Sequence, residues 1–287
     1  MDIDTNSISH TRKSITRQLG WNRTSYVMMS LFFVLILIIG YVWWPLLQAY
    51  LDTYNPDYPF WVQFDWLLLW DFLLMSLLIM AGADLKKDIP IILVGFAGGM
   101  VIESWGTQTN LWFYYTYERP PLWIIPAWPI ASLAIDRLFH FMYKQSFWLK
   151  DQWIKRLYWV IFGGFYAYLW IFVWPTIDKS LTIMAILLCT FLILTPVNYR
   201  AMLITFIAGS ALGYFLELWG TTRYCWIYYT LQTPPFFAVL AHGMAAVAFW
   251  RVVQLFWIFW PKFIAVFGTQ KNPVPAQSKS LPNSQQD

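Results

Sequence analysis

The strongest constraint on the fold is a series of apolar stretches long enough to cross a lipid bilayer. A spanning helix needs about 20 predominantly apolar residues, and residues 26–50 supply such a stretch without a charged side chain. Hydrophobic residues make up 59% of the chain and charged residues 12%, whereas soluble domains carry about 25% charged residues. The mean hydropathy is +0.49. The sequence therefore predicts a polytopic membrane protein, with the bilayer as its surroundings and no nucleic-acid partner.

The predicted fold class is an all-α membrane bundle of about eight transmembrane helices. The transmembrane domain is expected to cover residues 26–262. Before it lies a polar, basic N-terminal segment, 1–25, and after it a tail, 263–287, whose Ser, Pro, Gln and Asn content predicts disorder. The predicted spans are 26–50, 60–83, 89–105, 122–143, 156–177, 180–198, 200–219 and 235–260.

The distribution of lysine and arginine predicts the orientation. With the N-terminus inside, sixteen of the nineteen basic residues fall on the inner side. Cytoplasmic loops carry such an excess in membrane proteins. Only Arg119, Lys179 and Arg223 remain outside. We therefore expect a multi-pass protein of the cell (inner) membrane with both termini in the cytoplasm.

An internal repeat defines the expected architecture. Residues 103–121 read ESWGTQTNLWFYYTYERPP, and residues 217–235 read ELWGTTRYCWIYYTLQTPP, at a constant offset of 114. The third and seventh predicted spans are both short and glycine-bearing. Because they are four spans apart, the sequence predicts two parallel four-helix repeats, about 26–143 and about 156–260.

Four ionisable residues are the candidate catalytic groups. Glu103 and Glu217 occupy equivalent positions in the repeats, within the predicted outer third of the membrane. Asp71 is expected about 11 residues into the second span, and His242 at nearly the depth of Glu217. Ionisable groups at such depth are costly and usually face a bundle interior or a wet cavity.

Aromatic residues form 21% of the chain, and the repeats concentrate them beside the glutamates. Aromatic faces attract cations, tryptophan most strongly. Carboxyl groups next to such a lining suit protonation of an alkene and stabilisation of the resulting carbocation, although an interfacial aromatic belt would have the same composition. The candidate substrate-binding residues are Trp105, Trp112, Tyr114, Tyr115, Trp219, Trp226, Tyr228 and Tyr229.

The remaining motifs favour chemistry without a metal or cofactor. Cys189 and Cys225 lack metal-ligand spacing, and the only other histidines, His10 and His140, lie far from the outer cluster. Neither a phosphate-binding glycine loop nor a serine nucleophile elbow occurs. A metal site built from the glutamates, the aspartate and His242 stays open as an alternative.

The repeat motif resembles that of the integral membrane carotenoid-biosynthesis proteins that include bisanhydrobacterioruberin hydratases and carotenoid 1,2-hydratases. The pattern G-x3-E-x2-G-x2-T, followed by an aromatic stretch and prolines, spans roughly 20 residues in each half. Arg223 replaces the second threonine of the motif, and Trp112 and Trp226 stand where Phe-Gly is expected. The matching residues are Gly99, Glu103, Gly106, Thr109, Tyr114 and Tyr115, and then Gly213, Glu217, Gly220, Tyr228 and Tyr229.

The resemblance implies metal-free addition of water to a polyprenoid double bond. We therefore expect a membrane hydratase or cyclase that acts on a polyprenoid or carotenoid by proton-initiated carbocation chemistry. A non-catalytic transporter, or a pigment- or lipid-binding subunit of a membrane complex, is the alternative, because duplicated bundles with symmetric polar residues are also typical of transporters.

Overall fold

The fold is known from a computed structural model, which describes residues 20–267 and side chains as far as residue 260. The regular elements of this part of the chain are helices, apart from one pair of three-residue strands. The predicted tail and most of the N-terminal segment lie outside it, although helix α1 begins at Arg23 and the last helix ends at Phe267. The elements are α1 (Arg23–Val42), α2 (Trp44–Asp52), α3 (Phe60–Gln63), α4 (Trp66–Met80), α5 (Leu85–Gln108), β1 (Trp112–Tyr114), α6 (Ala127–Gln145), α7 (Asp151–Val173), α8 (Ser180–Leu194), α9 (Tyr199–Thr222), β2 (Trp226–Tyr228) and α10 (Phe236–Phe267).

Among the described residues, five segments are long and apolar enough to cross a membrane, as a polytopic membrane protein requires. The predicted all-helical fold class is confirmed. The shorter apolar helices α4 and α8 have 15 residues each, about 22 Å at 1.5 Å per residue. Helix α6 carries Asp136, Arg137 and Lys144. The five long segments are Arg23–Val42, Leu85–Gln108, Asp151–Thr176, Tyr199–Thr222 and Phe236–Trp260.

Several helix boundaries differ from the sequence prediction. Helices α5 and α9 have 24 residues each, so the prediction that they are short is wrong. Their glycines are accommodated inside the helices, next to tightly packed neighbours. The predicted span 60–83 is interrupted, because the backbone at Phe64 is extended and Asp65 caps a new helix by accepting from the Leu68 amide.

Elements recur along the chain at the offset of the sequence repeat. The bounds of α4, α5 and β1, each shifted by 114 residues, are those of α8, α9 and β2. Helices α5 and α6 pack together as α9 and α10 do, and α9 packs on α6 as α5 packs on α10. These four helices form the core of the bundle, and α5 and α9 each contain the start of one repeat motif.

The two strands join the motifs directly. Strand β1 pairs antiparallel with β2, with Trp112 opposite Tyr228, Phe113 opposite Ile227, and Tyr114 opposite Trp226. Phe113 and Ile227 are themselves 114 residues apart. A local two-fold axis therefore passes between them, and each strand delivers its aromatic side chains beside those of the other.

Candidate functional site

Glu103 is buried, with 3% of its surface exposed, and three aromatic donors surround its carboxylate. The indole of Trp112 donates to Oε2 at 3.0 Å. The hydroxyl of Tyr114 and the indole of Trp128 donate to Oε1 at 2.9 and 3.1 Å. Because both indole N–H groups can only donate, this arrangement suits the ionised carboxylate.

Glu217 has the same arrangement, with one exchange. Trp226 donates to its Oε2 at 2.9 Å and Tyr228 to its Oε1 at 2.8 Å. The third partner is Nε2 of His242, 2.9 Å from Oε1, at the position that Trp128 holds in the first cluster. Imidazole can donate a hydrogen bond, accept one or take up a proton. The third partner of Glu217 can therefore change its protonation state, whereas the indole of Trp128 cannot.

Two glycines, which have no side chain, leave room for the indoles that donate to the glutamates. A Cβ atom at Gly106 would lie 2.0 Å from the ring of Trp112, and one at Gly220 would lie 2.0 Å from the ring of Trp226. Each indole therefore lies against a helix surface at a point where only glycine leaves room for it. The Gly of the Trp-Gly-Thr sequence is a packing requirement of the glutamate cluster.

Asp71, Glu103 and His242 each lie within two turns of a helix end on the same side of the bundle. Asp71 is five residues from the start of α4, and Glu103 is five residues from the end of α5. Each lies about 8 Å from that helix end at 1.5 Å per residue. The intervening residues 81–84 reverse the chain, so both ends belong to the same side of the bundle. Asp71 is thus nearer the start of its own helix than the sequence predicts, because α4 begins at Trp66.

A cavity of about 1880 Å³ connects the candidate residues. Its wall contains Glu103, Glu217, Asp71 and His242, and most of the remaining lining is apolar or aromatic. Asp71 is 8% exposed, and its Oδ2 atom is buried without a hydrogen-bond partner. A buried carboxylate without donors is costly, so Asp71 differs chemically from the two fully hydrogen-bonded glutamates.

The predicted aromatic residues divide into two groups. Trp105, Trp112, Tyr114, Trp219, Trp226 and Tyr228 line the cavity. Tyr115 and Tyr229 instead anchor the hairpin, since their hydroxyls donate to the carbonyls of Val42 and Phe172, near the ends of α1 and α7. The structure therefore brings six of the eight predicted residues to the cavity.

Three further residues, Trp128, Asp65 and Arg223, belong to the site although the sequence did not single them out as functional. Trp128 completes the Glu103 cluster, and its repeat relation to His242 was the available clue. Arg223 forms a two-pronged ion pair with Asp65, with Nε–Oδ2 at 3.0 Å and Nη2–Oδ1 at 3.1 Å. Trp219 also donates to Asp65 at 3.0 Å. Asp65, Arg223 and Trp219 all lie on the cavity wall.

The charge of Asp65 is stabilised by these contacts. Burial alone would raise the pKa of Asp65, but hydrogen bonds from Arg223, the Leu68 amide and Trp219, together with the Arg223 charge, lower that pKa below its ordinary value. The ion pair therefore joins the start of α4 to the end of α9 at neutral pH.

Within the described part of the chain, no group of three or more His, Cys, Asp or Glu side chains is arranged to hold a metal ion. No protein-family model matches the chain, and neither a curated protein nor a solved structure is significantly similar to it.

Proposed function

We propose that this protein is a membrane enzyme that acts on a double bond of a polyprenoid or carotenoid, as a hydratase or cyclase. The observation that best supports the proposal is the cavity of about 1880 Å³, whose apolar and aromatic wall carries an unpartnered carboxyl group, Asp71, and two buried, hydrogen-bonded glutamates. A long hydrocarbon fits such a wall, because few of its lining residues are polar.

In the proposed reaction Asp71 is the acid. Its carboxyl proton is transferred to one alkene carbon, the π electrons form the new C–H bond, and a tertiary cation remains on the other carbon. Trp112, Trp226 and their neighbours stabilise this cation through their faces. The negative charges of Glu103 and Glu217 add to this stabilisation, because they are held in place before the reaction begins.

Water then attacks the cation, and His242 is the proposed base. When His242 Nε2 donates to Glu217, the neutral ring keeps a lone pair on Nδ1 that accepts a proton from the attacking water. Once the proton on His242 has returned to Asp71, the net change is addition of H₂O across the double bond. In the cyclase variant a second double bond of the same chain attacks the cation, and loss of a proton gives an isomer of the substrate.

The proposal includes a finer architecture. We propose eight transmembrane helices in two parallel halves of four, 26–143 and 156–260, in the cell (inner) membrane with both termini in the cytoplasm. The recurrence of α4, α5 and β1 as α8, α9 and β2 supports the repeat. The charge distribution supports the orientation.

The test is a product assay. Membranes containing the protein are incubated with an acyclic carotenoid or polyprenoid in H₂¹⁸O, and the extract is analysed by mass spectrometry for a labelled alcohol or a cyclised isomer. Asp71→Asn should lower turnover about 10²–10⁴-fold, the usual contribution of general acid catalysis. Asp57→Asn, in an exposed loop, is the matched control and should retain activity.

A carrier or pigment-binding subunit is the second candidate, and one observation favours it. Every partner of Glu103 can donate, so this carboxylate is fully satisfied in a purely structural role. A carrier would bind the lipophile and release it chemically unaltered. Binding without any product across a panel of acyclic polyprenoids would replace the enzyme with the carrier.

A further inference from the structure

Helices α4 and α8 hold equivalent places in the sequence but pack differently. Helix α4 packs on α6 and α9, in the core. The equivalent partners of α8 would be α10 and α5. Among the described elements, however, α8 packs substantially on α7 alone.

The reason lies in the first helix of each half. Helix α7 packs on α9 and α10, and it buries Phe162, Phe165 and Leu169 almost completely, at 0, 2 and 1% exposure. Helix α1 instead packs on the outer side of α4. Because α7 takes the place beside the core, α8 lies further out, and a groove remains between α8 and helices α5 and α10.

Apolar side chains of α5 and α8, on the two sides of this groove, line the cavity. Leu93 and Val101 of α5 are 61 and 66% exposed, and Met184 and Leu188 of α8 are 68 and 50% exposed. All four belong to the cavity wall. The groove is therefore an opening of the interior cavity onto the surface that faces the bilayer.

The hydrogen bonds that join α8 to α5 and α10 lie near its two ends, whereas Tyr166 of α7 bonds to Thr190 farther along the helix. Near its start, the Trp105 indole donates to Thr182 Oγ1 at 3.1 Å. Just after its end, Arg251 donates to the carbonyl of Thr195 at 2.7 Å. The residues of α8 that line the cavity between these contacts are apolar, apart from the weakly polar Cys189.

Helices α4 and α9, which hold the equivalent places, leave no such gap between them. These two helices pack directly, and the ion pair of Asp65 with Arg223 joins them at the end where the Glu103 and Glu217 clusters lie. Larger side chains also stand at two of the four equivalent positions, since Phe215 corresponds to Val101 and Trp70 to Met184.

We propose that a bilayer-dissolved polyprenoid chain enters and leaves the cavity laterally between α5 and α8. The inference rests on the proposed function in taking the ligand to be a lipophile. Lipid tails are as apolar as leucine, so a hydrocarbon chain that moves from the bilayer into this groove exchanges one apolar environment for another. It meets the carboxyl groups only inside the cavity.

The experiment uses a matched pair of substitutions in full-length protein reconstituted in vesicles. Leu188→Trp narrows the α5–α8 groove, and Leu74→Trp makes the same change at the equivalent position of α4, 40% exposed. Retinol, an isoprenoid polyene, is supplied in donor vesicles. Its arrival is followed by energy transfer from protein tryptophans in stopped flow, and both variants add one tryptophan.

We expect Leu188→Trp to slow retinol loading several-fold while leaving the final signal similar to that of Leu74→Trp, which should load like the wild type. Equal loading rates in the two variants, or slower loading in Leu74→Trp alone, would overturn the lateral entrance, as would a wild type that takes up no retinol. A wild type that loads through this groove but yields no product in the H₂¹⁸O assay would leave the entrance standing and overturn the enzyme.

Discussion

The indole of Trp128 stacks on the imidazole of His242, with ring centroids 5.6 Å apart and planes inclined by 18°. Each ring also hydrogen-bonds a glutamate of its own half, Trp128 to Glu103 and His242 to Glu217. The stacked pair therefore connects the two carboxylate clusters. It also contains the main chemical difference between them, an indole in the first cluster and an imidazole in the second.

Replacing His242 by tryptophan makes the second cluster resemble the first. Gly213 faces His242 as Gly99 faces Trp128, so the fold has a precedent for the larger ring, and the indole still donates to Glu217. We expect thermal unfolding to stay near that of the wild type while turnover falls about 10²–10⁴-fold, because the base is removed. His140→Asn, on an exposed histidine, should change neither. Retained turnover in His242→Trp would remove His242 from the mechanism.

Glu103→Gln tests how far the carboxylate holds the site together. The amide nitrogen of glutamine would face at least one indole or hydroxyl donor, leaving a buried donor unsatisfied at a cost of about 1–3 kcal/mol. We expect a lower free energy of unfolding, measured by denaturant titration in detergent. Glu118→Gln, at an exposed position, is the control. Unchanged stability would show that Glu103 is not hydrogen-bonded as described.

Gly106→Ala should displace the Trp112 indole. The added Cβ atom would lie 2.0 Å from that ring, so the ring must move and its hydrogen bond to Glu103 is lost. We expect lower thermal stability and a changed tryptophan emission spectrum. Gly163→Ala is the matched control, since nothing lies within 4 Å of its Cβ position in α7. There, alanine should stabilise the helix by about 0.5–1 kcal/mol.

The ion pair of Asp65 with Arg223 predicts a pH dependence of stability. The pKa of Asp65 is lowered in the folded protein, so the unfolded state binds the proton more readily. The stabilisation is complete above the unfolded-state pKa and is lost as the pH falls through the lower, folded-state pKa. Asp65→Asn should reduce stability at pH 7 and flatten its acid dependence.

Arg223→Thr, which introduces the residue found at the equivalent Thr109, should have the same effect on the acid dependence. The double variant should lose little more than either single one, because the two side chains act as a pair. Additive losses in thermal unfolding between pH 3 and pH 7 would contradict the coupling.

The orientation is tested by labelling from outside the cell. In a background with Cys189→Ala and Cys225→Ala, a membrane-impermeant maleimide should modify Gln108→Cys and spare Lys150→Cys until the membrane is permeabilised. Both positions are exposed in the structure. The reverse pattern would reverse the topology and place the glutamate clusters near the cytoplasm.

Local patterns in the sequence determined the membrane character, the recurrence of the motif, and the depth that Glu103 and Glu217 share. Hydropathy and spacing act along the chain, so α5 and α9 could be predicted from their own residues, although the helix ends and the two short aromatic strands could not. The pairing of Glu217 with His242 was suggested only by their similar depth.

Tertiary structure decided which groups meet. Asp65 and Arg223 are 158 residues apart, and nothing local in either segment predicts their ion pair. The displacement of α8 is also a tertiary effect, because it depends on whether α7 or α8 buries its apolar face against α10. Both helices are apolar enough to do so. Because α7 occupies this surface, α8 lies further out, and we infer that the cavity opens to the bilayer between α5 and α8.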